Sequence, residues 1–171
     1  MEQILKKDKS LKRVMTISGL NGYSVAIFAG LCTLICIIMK SGSGIIIGLA
    51  VTASGYMEIN GRKKLKGGLA DAGKWLIASQ LWLMGILISY AVYKLLSLDP
   101  SKVSVLLSPE LTALIESELN LTAEAITEMV IRIYNAIYLS IIAVSTIYQG
   151  GLCYYYWKST EKILVVKTPE T

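Results

Sequence analysis

The chain has 171 residues, of which 54% are hydrophobic and only 17% charged, with a net charge of +5. A soluble domain of this length carries about a quarter charged residues, so this composition, with its several long apolar runs, indicates an all-α integral membrane protein. The absence of histidine removes the commonest general base, metal ligand and pH switch together. The positive residues sit beside apolar runs, which points to topology and anionic lipid and away from nucleic acid.

Residues 1–13 carry Lys6, Lys7, Lys9, Lys12 and Arg13 against Glu2 and Asp8. With Ile4, Leu11 and Val14 they read as a short amphipathic surface helix. The first span follows over 15–39. Its apolar run is longer than a signal-peptide core, and Lys40 intrudes before the small residues Ser41, Gly42 and Ser43, so a retained first helix is expected. Residues 40–44 form a tight turn that allows only an antiparallel hairpin.

Span two is predicted over 44–59, near the lower length limit for crossing a hydrocarbon core of about 30 Å. Gly44 and Gly48 form a G-x-x-x-G pair, and Gly55 follows two turns on. Small faces of this kind let helix backbones approach closely, and span one is the expected partner. Glu58 and Arg62, four apart with the acid first, have the spacing of a helical ion pair.

A basic turn comes next, with Arg62, Lys63, Lys64 and Lys66. Because Arg and Lys near spans stay on the cytoplasmic side, it reads as an inside turn and as a surface for anionic lipid. Within it, Gly68 to Lys74 matches G-x-x-x-x-G-K, but Trp75 stands where Ser or Thr should hold magnesium and no strand precedes it. A nucleotide site is not expected.

Span three is predicted over 75–98, with Trp75 at the inner interface and Tyr90 and Tyr93 towards the outer one. Asp99-Pro100 ends it. The outer loop, 99–129, contains a helix start at Ser108-Pro109-Glu110, and Leu111, Leu114, Ile115 and Leu119 fall on one face. This reads as a short amphipathic helix on the bundle or the membrane surface. Thr122 is placed to cap the fourth helix, whose span is predicted over 130–157. Tyr154, Tyr155, Tyr156 and Trp157 read together as an aromatic anchor at the inner interface.

Charge bias then sets direction. The N-terminal cluster, Arg62, Lys63, Lys64, Lys66, Lys74, Lys158, Lys162 and Lys167 fall inside, whereas Lys40, Lys94, Lys102 and Arg132 fall outside among six acidic residues. The architecture is therefore four transmembrane helices with both termini cytoplasmic, in a plasma (inner) membrane.

For chemistry, the spans offer neutral polar residues, above all Gln80, Asn135 and Gln149 as a candidate lining. No charged residue is expected near mid-span, since Glu58 reads as an inner-interface residue and Arg132 as an outer one. Cys32, Cys36 and Cys153 lie in apolar segments and read as filler. No catalytic constellation, metal site or cofactor is predicted. The leading expectation is a non-catalytic accessory, assembly or membrane-organising protein. It would associate with itself or with another membrane protein through the face of Gly44, Gly48 and Gly55. The alternative is a small oligomeric pore or transporter lined by the neutral polar residues.

Overall fold

The computed structural model describes residues 2–98, 115, 117 and 122–165, with side chains described from 10 to 161 within those ranges. The protein is all-helical, with four long helices: α1 (Glu2–Ile38), α2 (Gly42–Lys66), α3 (Ala72–Leu96) and α4 (Ala123–Val165). All four are long and apolar enough to cross a membrane.

Helices α2 and α4 outrun their predicted spans at both ends, whereas α1 and α3 start early and stop just short of the predicted ends. The N-terminal basic stretch is continuous with α1 and forms no separate surface helix. The α2 helix carries on past Ile59 through the basic cluster to Lys66. A charged residue ends an apolar run without ending the backbone ladder, because Arg and Lys are good helix formers. Helix α4 begins at Ala123, and the Thr122 hydroxyl accepts the Ala125 backbone N–H at 3.3 Å, an N-cap that satisfies one of the helix's open donors. The amphipathic helix expected over 108–119 lies outside the described residues, apart from Ile115 and Ser117, both helical.

Two helix ends are closed by the same device. At the end of α1, the Lys40 N–H donates to the Ile37 carbonyl (3.0 Å) and the Ser41 N–H to the Cys36 carbonyl (2.9 Å). At the end of α2, the Gly68 N–H donates to Leu65 (3.0 Å) and the Leu69 N–H to Lys64 (3.1 Å). Both are Schellman pairings, which need a left-handed residue just past the helix. Gly68 supplies it at φ 71, whereas at the first end Lys40 does so at φ 53. The α2–α3 turn is clamped further by Lys64. Its ammonium lies 2.5 Å from the Asp71 carboxylate and 4.6 Å from the centre of the Trp75 ring.

The chain divides into two compact units, one of residues 1–86 with 145–171 and one of residues 87–144. In the first, α1 and α2 pack as the hairpin that their short connection requires. A Cβ on Gly55 would stand 2.8 Å from both the Ala26 nitrogen and the Gly22 carbonyl oxygen. One on Gly48 would collide with Thr33 Oγ1, and one on Gly44 would stand 2.6 Å from Cys36 Sγ. Only glycine permits this approach. At one end of the unit, Val14, Leu65, Ala72, Leu76 and Tyr156 form an apolar cluster drawn from all four helices. In the second unit, Tyr90 and Tyr138 meet edge to face at 6.2 Å, and the Tyr134 hydroxyl donates to the Lys94 carbonyl at 3.3 Å.

Candidate functional site

A carboxylate is buried inside the first unit. Glu58 is 1% exposed and lies eight residues before the end of α2, about 12 Å along the helix axis. Its Oε2 accepts Asn21 Nδ2 of α1 at 2.6 Å. Its Oε1 accepts the Tyr156 hydroxyl of α4 at 2.5 Å. The Gln80 side chain of α3, buried and directed to Ser79 Oγ at 3.4 Å, lies near the same carboxylate. All four helices thus send one polar side chain to one point.

Helical periodicity puts them there. On α2, Ser54, Gly55, Glu58, Gly61 and Leu65 are the buried residues, a single stripe on which Glu58 follows directly from the glycine face. On α1, Val14, Ser18, Asn21, Ala29 and Thr33 are buried, and on α4, Ser145, Gln149, Tyr156, Ser159 and Thr160. The close approach of α1 and α2 at Gly22 and Gly55 brings Asn21 within reach of Glu58.

The network continues outwards. The Tyr148 hydroxyl donates to Asn21 Oδ1 at 3.3 Å, and Tyr148 is 52% exposed. A hydrogen-bonded chain therefore runs from a half-exposed phenol through a buried amide to a buried carboxylate and on to the Tyr156 phenol. Two buried amide oxygens in the same unit, Gln80 Oε1 and Gln149 Oε1, have no hydrogen-bond partner. Buried acceptors without a donor are rare, and here they stand in the unit that holds the carboxylate.

Several sequence expectations change at this point. Glu58 does not pair with Arg62, since Asn21 and Tyr156 occupy its oxygens. Arg62 instead lies 5.9 Å from the centre of the Tyr23 ring and against Gly19. Tyr156 is not part of an interfacial anchor. It is completely buried, whereas Tyr154 and Trp157 are 58% and 61% exposed and stack edge to face at 6.5 Å. Of the polar residues singled out, Gln80 and Gln149 are buried in the first unit. Asn135 belongs to the second unit. The basic cluster is also divided, because Lys64 turns to Asp71 and Trp75, while Arg62, Lys63 and Lys66 line a separate cavity. Gly44, Gly48 and Gly55 face α1 of the same chain, so this face is filled internally. In the G-x-x-x-x-G-K match, Gly68 is a helix cap and Gly73 packs against Thr160.

Asn21 and Tyr148 went unnoticed as site residues in the sequence. The available signal was phase: Asn21 lies on the buried stripe of α1 with Val14 and Ser18. Comparison with protein-family models, with characterised proteins and with solved structures gives no match, so function is argued from the site itself.

Proposed function

We propose that this chain is a small multi-pass membrane protein that takes up a proton or a monovalent cation at Glu58 and passes it through the helix bundle. The observation that carries the proposal is one ionisable side chain, 1% exposed, within a helix of membrane-spanning length and hydrogen-bonded to two other helices. Ionisable groups inside membrane spans are costly, face the bundle interior and mark ion and proton pathways. A single carboxylate balances one positive charge. The neutral oxygens of Gln80 and Gln149 are the hard acceptors that a dehydrated cation or hydronium needs. Asn21 and Tyr156 both donate to Glu58, with Tyr148 holding Asn21 in turn, so the carboxylate that would receive the cation is held ready in its charged form.

Membrane insertion is supported by the large apolar side chains exposed on all four helices, among them Leu20, Phe28, Ile46, Leu96 and Ile147. A cytoplasmic setting for both termini is supported by the density of Lys and Arg in the N-terminal stretch and around the α2–α3 turn. Helix association, the leading expectation from sequence, loses the surface it relied on, because α1 fills the glycine face. The protein acts, in this reading, without catalysis.

The test is flux in liposomes that contain the purified protein, with proton- and cation-sensitive dyes inside. Wild-type protein should carry protons or a monovalent cation above the level of empty vesicles, and Glu58→Gln should abolish that flux while keeping its helical content. Wild-type vesicles no leakier than empty ones, or full flux in Glu58→Gln, would overturn the proposal.

A further inference from the structure

Between α1 and α2, a cavity of about 230 Å³ is lined by Met15, Tyr23, Ile59, Arg62, Lys63 and Lys66. Half of its lining residues are cationic and none is acidic. Glu58 is committed to Asn21 and Tyr156, and among the described residues Arg62, Lys63 and Lys66 have no ion-pair partner. Arg62 is held in place for this role. A Cβ on Gly19 would lie 2.8 Å from its guanidinium carbon, and the Tyr23 ring centre is 5.9 Å away. A guanidinium set in this way presents a planar fork suited to phosphate oxygens.

From these features we infer that the cavity is a binding site for the phosphate headgroup of an anionic glycerophospholipid. Its volume lies just below the range of about 300–1,000 Å³ typical of drug-sized ligands, which suits a headgroup and not a nucleotide. Met15 and Ile59 give it an apolar wall for the glycerol and the start of the acyl chains. It lies near the basic ends of two helices of membrane-spanning length, where basic pockets between helices take lipid headgroups. Lys64 is excluded by its pairing with Asp71. The inference rests on the membrane reading above but not on cation uptake at Glu58.

The test is native mass spectrometry of the full chain, released from mild detergent after mixing with phosphatidylglycerol or with phosphatidylcholine. Phosphatidylglycerol should be retained selectively. Each cation near a membrane surface contributes roughly a fivefold preference for anionic lipid, so Lys63→Ala with Lys66→Ala should lower retention about 25-fold. Both lysines are exposed, and this variant keeps its fold; Arg62→Ala, which also loosens the packing on Gly19, serves as a second probe. Lys64→Ala removes the same charge a few ångströms away and should leave retention unchanged. Equal retention of the two lipids, or an equal loss in Lys64→Ala, would overturn the site in favour of a diffuse basic surface. Displacement of the lipid by excess inorganic phosphate would overturn the lipid as the source of the ligand. Recovery of the chain in the carbonate-soluble fraction of cells would defeat the membrane reading itself, a failure distinct from all of these.

Discussion

The contact between Tyr156 and Glu58 should be measurable as a coupling free energy. Tyr156→Phe removes one hydroxyl and keeps a ring that is completely buried, so apolar packing is nearly unchanged. What is lost is the 2.5 Å hydrogen bond to Glu58 Oε1. That leaves a buried carboxylate oxygen short of a donor, a loss of about 1–3 kcal/mol. Glu58→Gln keeps an acceptor for Tyr156 but offers an N–H towards Asn21 Nδ2, itself a donor, so it is destabilising alone as well. In the double variant the buried carboxylate and the missing donor disappear together, and the combined loss should be smaller than the sum. Hydrogen bonds between membrane helices average about 0.6 kcal/mol in such cycles and reach about 1.7, which sets the expected coupling. The assay is reversible unfolding in mixed micelles by titration with a denaturing detergent, followed by the fluorescence of the three tryptophans. Tyr154→Phe, two residues away on an exposed side chain, is the control and should change stability by less than about 0.5 kcal/mol. Additive losses, with a coupling below about 0.3 kcal/mol, would refute the claim that these two groups form one buried site.

Other expectations concern the helices that carry the site. Gly55→Ala should destabilise by about 1–3 kcal/mol, because its Cβ meets backbone atoms of α1 that no rotamer change can move. Gly85→Ala meets nothing within 4 Å and should stabilise by about 0.5–1 kcal/mol through helix propensity, read in the same unfolding assay. Lys40→Gly should stabilise the α1–α2 connection by about 1 kcal/mol, since it relieves a left-handed conformation that is unfavourable for side-chain-bearing residues. Gly68→Ala, at φ 71, should do the reverse. Asp71, held below the usual carboxylate range first by its hydrogen bond to Lys64, should keep the α2–α3 turn closed above the ordinary Asp range. That contribution fades as pH falls through its depressed folded-state pKa. Protection factors of the turn amides, taken against the intrinsic exchange rate at each pH, should therefore fall on acidification, and Asp71→Asn should remove the dependence.

The helices themselves were legible because apolar runs of about 20 residues are long enough, as helices, to cross a membrane and have few other ways to satisfy their backbone. Their ends were less so. The span edge drawn where charges begin falls short in α2, which runs past Ile59 to Lys66, whereas α4 starts where the Thr122 cap indicates, because charge marks where apolar character ends and helix caps mark where hydrogen bonding ends. The hairpin geometry was legible from Gly44, Gly48 and Gly55, but the identity of the occupant was decided by a connection too short to let any other helix in first.

The site was less legible, because neither charge nor aromatic composition reports the face of a helix on which a residue lies. Charge marks the edge of span two and does not say which face of the helix Glu58 takes. Aromatic composition makes 154–157 look like a block, although one α-helical turn points these four side chains in different directions. Phase along the helix corrects both. Glu58 lies three residues after Gly55 on the face turned towards α1, and Tyr156 lies seven after Gln149 on the buried face of α4. A carboxylate on a small-residue stripe cannot face lipid or water once that stripe is packed, so it must find donors on the neighbouring helices. The buried Asn21 on α1 and Tyr156 on α4 are those donors, and their presence on matching faces makes Glu58 a built site within the bundle.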